Sequence, residues 1–174
     1  MHLTKIWVVR LKPIWNNFRF RKSIKEYIPL SNELNTIGDL QERVGELYKS
    51  FTYKYDDISM LFDAIDTPPQ CLFYLENSTL KDDCDGYHAA IYHLVTHRVE
   101  NASNIKLITV VTKPFTNSHT MCVFDLNDKT FLADYQKVIE IQGYSDALDH
   151  MKQAYSTKPI YYHLNTWDAE KGWK

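Results

Sequence analysis

Glycine and proline are scarce, at five and six residues in a chain of 174. That excludes collagen-like, low-complexity and linker proteins, which depend on those residues. It also leaves little material for a phosphate-cradling loop, and no GxxxxGK[ST], GxGxxG, GxSxG or EF-hand pattern occurs. Cysteine appears three times, as Cys71, Cys84 and Cys122, with no CxxC pair. An odd, widely spaced set is a poor disulfide framework, so free thiols in a reducing compartment are expected. No run approaches the 18 or so apolar residues of a membrane span. The early apolar run Ile6 to Val9 is short for a signal peptide and is followed at once by Arg10 and Lys12. A cytoplasmic protein is the expectation. Neither charge dominates: 20 Lys and Arg against 22 Asp and Glu leave a net −2, which gives no general attraction to nucleic acid or membrane.

What is present describes a globular domain. Apolar residues at 44% and charged residues at 24% suffice for a core and a solvated surface, and the length suits a single domain over residues 1–174. Charge is unevenly spread. Residues 1–30 carry seven Lys and Arg against the single acid Glu26, with Trp7, Trp15, Phe18 and Phe20 among them. Such a segment offers a surface to an acidic partner, or else turns its aromatics to the core and its bases to water.

Hydrophobic spacing gives a coarse element map. Leu3–Leu11 reads as a strand, Ser31–Lys49 as a helix, and Tyr55–Ile65 as a short helix stopped by Thr67-Pro68-Pro69. Cys71–Leu75 reads as a strand. A helix from about Cys84 to Thr96 follows, with Asp82 or Asp83 as its N-cap. Ile105–Thr112, Ser118–Leu126, Lys129–Ile141 and Ile160–Leu164 read as strands, with a short helix at Ser145–Ala154. The order predicts an α+β fold in which a helix packs on an antiparallel sheet.

Cys84 falls in the first turn of its helix. Backbone N–H groups and the helix dipole there favour a thiolate, while Asp82, Asp83 and Asp85 oppose it. A nearby imidazolium is needed to prevail. If Asn127-Asp128 forms a two-residue hairpin loop, Leu126 pairs with Lys129, Phe124 with Phe131, Met121 with Asp134 and His119 with Gln136. His119 and Asp134 then share a face as diagonal neighbours about 7–8 Å apart at the backbone, a gap that an imidazole and a carboxylate bridge. A three-residue loop would put Asp134 on the opposite face. The expected constellation is therefore nucleophile Cys84, base His119 and orienting Asp134. Backbone N–H groups at the helix start would supply half an oxyanion hole, and Gln70 or Asn77 the other half.

The rival chemistry is a metal site. Cys84 with His88, and His93 with His97, are i, i+4 pairs on one helix. HLVTH lacks the acid beside its first His that a zinc peptidase uses as base, so no metal is expected and His93 and His97 read as a partly exposed helix face. Cys71 and Cys122 read as core residues. Cys122 has the opposite strand parity from His119.

The segments Thr67-Pro68-Pro69 and Lys81-Asp82-Asp83-Cys84-Asp85-Gly86-Tyr87-His88-Ala89 resemble the Cys box of transglutaminase-like cysteine proteinases. Ser118–Val123 resembles that family's His strand, and Phe131–Tyr135 its Asp strand. Asp83 and His88 depart from the family pattern, which has Gly and a small residue there. The resemblance covers residues 67–136. It implies a papain-like core, a Cys84–His119–Asp134 triad and a cofactor-free peptidase or amidase acting on a peptide or protein through a thioester. A transglutaminase-type acyl transferase and an inactive papain-like binding module are the alternatives.

Overall fold

The structure, a computed structural model, describes residue 24 and residues 26–54 and 67–174. The strand expected at Leu3–Leu11, the helix expected at Tyr55–Ile65 and most of the basic segment 1–30 lie outside the described residues.

Helix α1 spans Ile37–Tyr48. It starts later than its hydrophobic spacing suggests because Thr36 closes a capping box: its Oγ1 accepts the Asp39 N–H, and the Asp39 carboxylate accepts the Thr36 N–H. Leu40, Val44 and Leu47 form its buried stripe. Thr67-Pro68-Pro69 begins a helix rather than ending one. Helix α2, Pro68–Asn77, has Thr67 as N-cap and both prolines in its first turn, where a missing N–H costs nothing. The strand expected at Cys71–Leu75 is therefore helix, with Cys71, Leu72 and Leu75 facing the core. Short strands β1 (Phe51–Tyr53) and β2 (Leu80–Asp82) pair in parallel. Helix α3, Cys84–Arg98, starts on the Asp83 cap as expected, and every residue from Cys84 to Val95 is buried. A helix with no polar face through that span is a central one.

Five strands make the main sheet: β3 (Ser103–Lys113), β4 (His119–Leu126), β5 (Lys129–Asp134), β6 (Lys137–Ile141) and β7 (Lys158–Asn165), after helix α4 (Asp146–Tyr155). Their order is β6-β5-β4-β3-β7, and every pairing is antiparallel. The fold is α+β. A small hairpin, β8 (Trp167–Asp168) with β9 (Gly172–Trp173), brings Trp167 and Trp173 edge to face, the latter also against Tyr92. No helix among the described residues is long and apolar enough to cross a membrane.

The β4–β5 hairpin has the two-residue loop. Leu126 pairs with Lys129 and Cys122 with Ala133, while Asn127 and Asp128 both adopt positive φ (50° and 60°). That is the turn whose twist matches the strands. Side-chain alternation then divides the interior in two. Leu107, Cys122, Phe124, Phe131 and Ala133 pack against α1, α2 and α3. Ile108, Val110, Met121, Val123 and Leu132 face the other way, against Ala147 and Met151 of α4. The sheet thus carries helices on both faces, not on one.

The single strand expected at Lys129–Ile141 is two strands joined at Tyr135-Gln136. Tyr135 has φ 46°, an unfavourable region for a bulky side chain, at a cost of about 1–3 kcal/mol. Tertiary bonds hold it there. Its N–H donates to His88 Nε2 at 3.0 Å, and its carbonyl accepts from the Tyr87 hydroxyl at 3.3 Å. Gln41 of α1 latches the same turn, donating to the Gln136 carbonyl and accepting from the Val138 N–H.

Candidate functional site

The helix and the hairpin meet at one end of the sheet, where β4 begins and β5 ends. By parity His119 and Asp134 belong to the α4 side, whereas Cys84 comes from α3 on the opposite side. The Cys84 Sγ accepts the backbone N–H of Thr120 at 3.4 Å, which seats the sulfur against the residue that follows His119. Cys84 keeps 8% of its surface exposed and His119 6%, whereas Cys71 and Cys122 keep none. Burial pushes the Cys122 thiol far above its ordinary value, in keeping with a core role.

Gly86 explains how the helix start fits. A Cβ there would lie 2.0 Å from the Asp82 carboxylate, which folds over the first turn. The neighbouring carboxylates serve the backbone: Asp82 Oδ1 accepts the Asp83 N–H, and Asp83 Oδ1 accepts the Asp85 N–H, both at 2.9 Å.

Asp134 is the hub. Its Oδ1 accepts from His119 Nε2 at 2.8 Å. Its Oδ2 accepts from His150 Nε2 and from the Tyr155 hydroxyl, each at 2.7 Å. Burial pushes this carboxyl up, but the hydrogen bonds and charges of the surrounding imidazoles prevail and hold it far below the usual carboxylate range. With Nε2 of His119 given to Asp134, Nδ1 is the nitrogen left for a thiol. It is also the ring nitrogen nearer the His119 backbone, and the sulfur sits against the next backbone N–H along the strand, that of Thr120. Three rings surround His119: Tyr155 at 4.9 Å, Tyr135 at 5.2 Å, and His88 edge-on at 5.4 Å. Electron-rich tyrosine faces attract a cationic imidazole. The Tyr155 hydroxyl is displaced upward in pKa by burial and by the Asp134 charge, so it remains a donor at neutral pH.

His150 and Tyr155 were not anticipated from sequence. They stand five apart on α4, a spacing that carries no signal until that helix is known to cover the β5 end. The two amides expected near the oxyanion are placed differently. Asn77 donates its amide protons to the Tyr27 hydroxyl at 3.0 Å and to the Phe73 carbonyl at 2.9 Å, so both are engaged within the domain. Gln70, in the first turn of α2, accepts the Ile24 N–H on Oε1 at 3.1 Å.

Neither i, i+4 pair resembles a metal chelate. His88 turns its Nδ1 to the Cys84 carbonyl at 2.6 Å. His93 is buried rather than partly exposed, and its Nε2 donates to the Tyr27 carbonyl at 2.7 Å. A different trio, His88, His119 and Asp134, brings its ligand atoms within 4.8 Å of one another. A cation there would have to displace the Tyr135 N–H from His88 and the His119 N–H from Asp134.

Neither a protein-family model nor a curated protein sequence matches the chain. Among solved structures, Legionella pneumophila LapG aligns with a TM-score of 0.45 and 14% identity, covering 75% of this chain and 67% of that one. A likeness of that degree carries no argument about activity.

Proposed function

We propose that the chain is a cysteine-dependent amide hydrolase, a single domain with a papain-like core, in which Cys84 is the nucleophile, His119 the proton carrier and Asp134 the orienting carboxylate. One observation carries the reading. The least buried of the three thiols contacts the start of the strand whose first residue is an imidazole, itself hydrogen-bonded at 2.8 Å to a buried carboxylate. His150 and Tyr155 occupy the second oxygen of Asp134, which keeps the carboxylate turned toward His119.

The chemistry follows from these groups. The Cys84 thiolate attacks the carbonyl carbon of a peptide or protein amide. The C–N bond breaks as the departing nitrogen takes the proton from His119, leaving a thioester and a neutral imidazole. Water then adds to the thioester and gives its proton to His119. The C–S bond breaks, and the thiolate–imidazolium pair returns. No metal or cofactor takes part. This reading looks for the second oxyanion donor at the first turn of α2, where Gln70 stands with its Oε1 accepting the Ile24 N–H.

Iodoacetamide labelling followed by peptide mapping tests the reading. Alkylation of Cys84 is expected to outpace that of Cys71 and Cys122, to persist at pH values where an ordinary thiol is protonated, and to lose those features in His119→Ala. Alkylation of Cys84 that follows ordinary thiol titration and ignores His119→Ala would leave a papain-like module without this activity. A mass-spectrometric search for cleaved or amine-exchanged peptides then separates hydrolysis from acyl transfer.

A further inference from the structure

Resting on that assignment of Cys84, His119 and Asp134, we propose that His88 is a positioning residue that ties the nucleophile helix to the acid strand, and so sets where the sulfur stands relative to the base. His88 lies four residues after Cys84 on α3 and has no exposed surface. Both ring nitrogens are used, one toward each partner. Nε2 accepts the Tyr135 N–H at 3.0 Å, so it carries the lone pair. Nδ1 must then carry the proton, which it donates to the Cys84 carbonyl at 2.6 Å. The imidazole therefore spans from the backbone of the nucleophile to the backbone of the residue immediately after Asp134.

Tyr135 is where such a tie has most effect. It occupies a left-handed conformation that its side chain disfavours, and that conformation ends β5 at Asp134. Without an acceptor for its N–H, the turn has less to hold it, and the Asp134 carboxylate shifts with it. The neutral, singly protonated form is the one that fits both bonds. Burial, with the His119 charge adding to it, lowers the His88 pKa to about 3, which keeps that form in place over the working pH range. Alanine or another small residue at this position would leave both backbone groups without the ring.

Two substitutions separate the tie from mere packing. His88→Gln places an amide oxygen near Nε2 and keeps an acceptor for Tyr135, whereas His88→Leu fills similar space with no polar atom. Amide hydrogen exchange at Tyr135 reads the tie directly and does not depend on activity. Protection should persist in His88→Gln and be lost in His88→Leu. The rate and pH midpoint of Cys84 alkylation read the consequence: a folded His88→Leu should lose about tenfold or more in rate, with much of it retained in His88→Gln. Should His88→Leu fail to fold, loss of Tyr135 protection and a slower rate in His88→Asn, which keeps only the donor to Cys84, make the same test. Unchanged exchange at Tyr135, or lost protection with wild-type alkylation, overturns the proposal. If the wild-type protein itself shows no His119-dependent alkylation, the hydrolase reading fails, while the exchange data still judge the tie.

Discussion

Acid should destabilise this protein well above the range where its carboxylates titrate, and two buried histidines set the size of the effect. His88 is held neutral down to about pH 3 and His93 to about pH 4, in both cases chiefly because burial penalises the cation. In the unfolded chain each returns to a pKa near 6.5. Between these limits the unfolded state binds more protons than the folded state, so stability falls as pH falls. Each histidine contributes roughly 1.4 kcal/mol per pH unit once the pH is below about 6, and the pair about 2–3 kcal/mol per unit. Integrated from pH 7 to 3, His88 alone amounts to about 4 kcal/mol, close to the whole stability of many small domains. Asp134 acts lower. Its folded pKa is depressed, so its contribution is complete above the ordinary carboxylate value of about 4 and is lost as pH falls through the folded value. Urea unfolding at half-unit steps from pH 7 to 4.5 measures the slope. On unfolding between pH 6 and 5, His88→Gln should take up about one proton fewer than the wild type. A His88→Gln slope equal to that of the wild type would show that His88 protonates freely in the folded state and refute the reasoning.

Two further outcomes test the local geometry. Gly86→Ala drives a methyl into the Asp82 side chain and should cost about 1–3 kcal/mol in urea unfolding; adding Asp82→Ala removes the carboxylate but leaves its Cβ 2.9 Å away and should recover only part of the loss, and a Gly86→Ala protein of wild-type stability would contradict the close approach. At the β4–β5 turn, Asp128→Gly suits the positive φ of 60° and should raise the melting temperature slightly, whereas Asp128→Val should lower stability by about 1–2 kcal/mol; equal melting of the two variants would contradict the turn type.

The parts of this fold that were legible in the sequence are those written in local chemistry. Asp83 ahead of Cys84 marked a helix start, and Asn127-Asp128 marked a two-residue turn, which fixes the register of β4 on β5 and brings His119 to the face of Asp134. The misreadings arose where local chemistry was ambiguous or overruled. Thr-Pro-Pro punctuates a chain equally well as a stop or as a capped first turn, and only the buried spacing of Cys71, Leu72 and Leu75 decides for helix. Tyr135-Gln136 carries no turn signal at all, because bonds from His88, Tyr87 and Gln41, distant in sequence, impose the reversal. His150 and Tyr155 were invisible for the same reason: their partner is a carboxylate on another element, and nothing in their own neighbourhood announces it.

The sulfur arrives from one layer of helices, while the carboxylate that holds its imidazole is gripped by two side chains of the other. If Cys84 acts as proposed, neither layer alone assembles a reactive thiol. A chain still emerging during synthesis, or one whose α4 has come away from the sheet, would then carry an inert cysteine, and reactivity would be tied to complete folding.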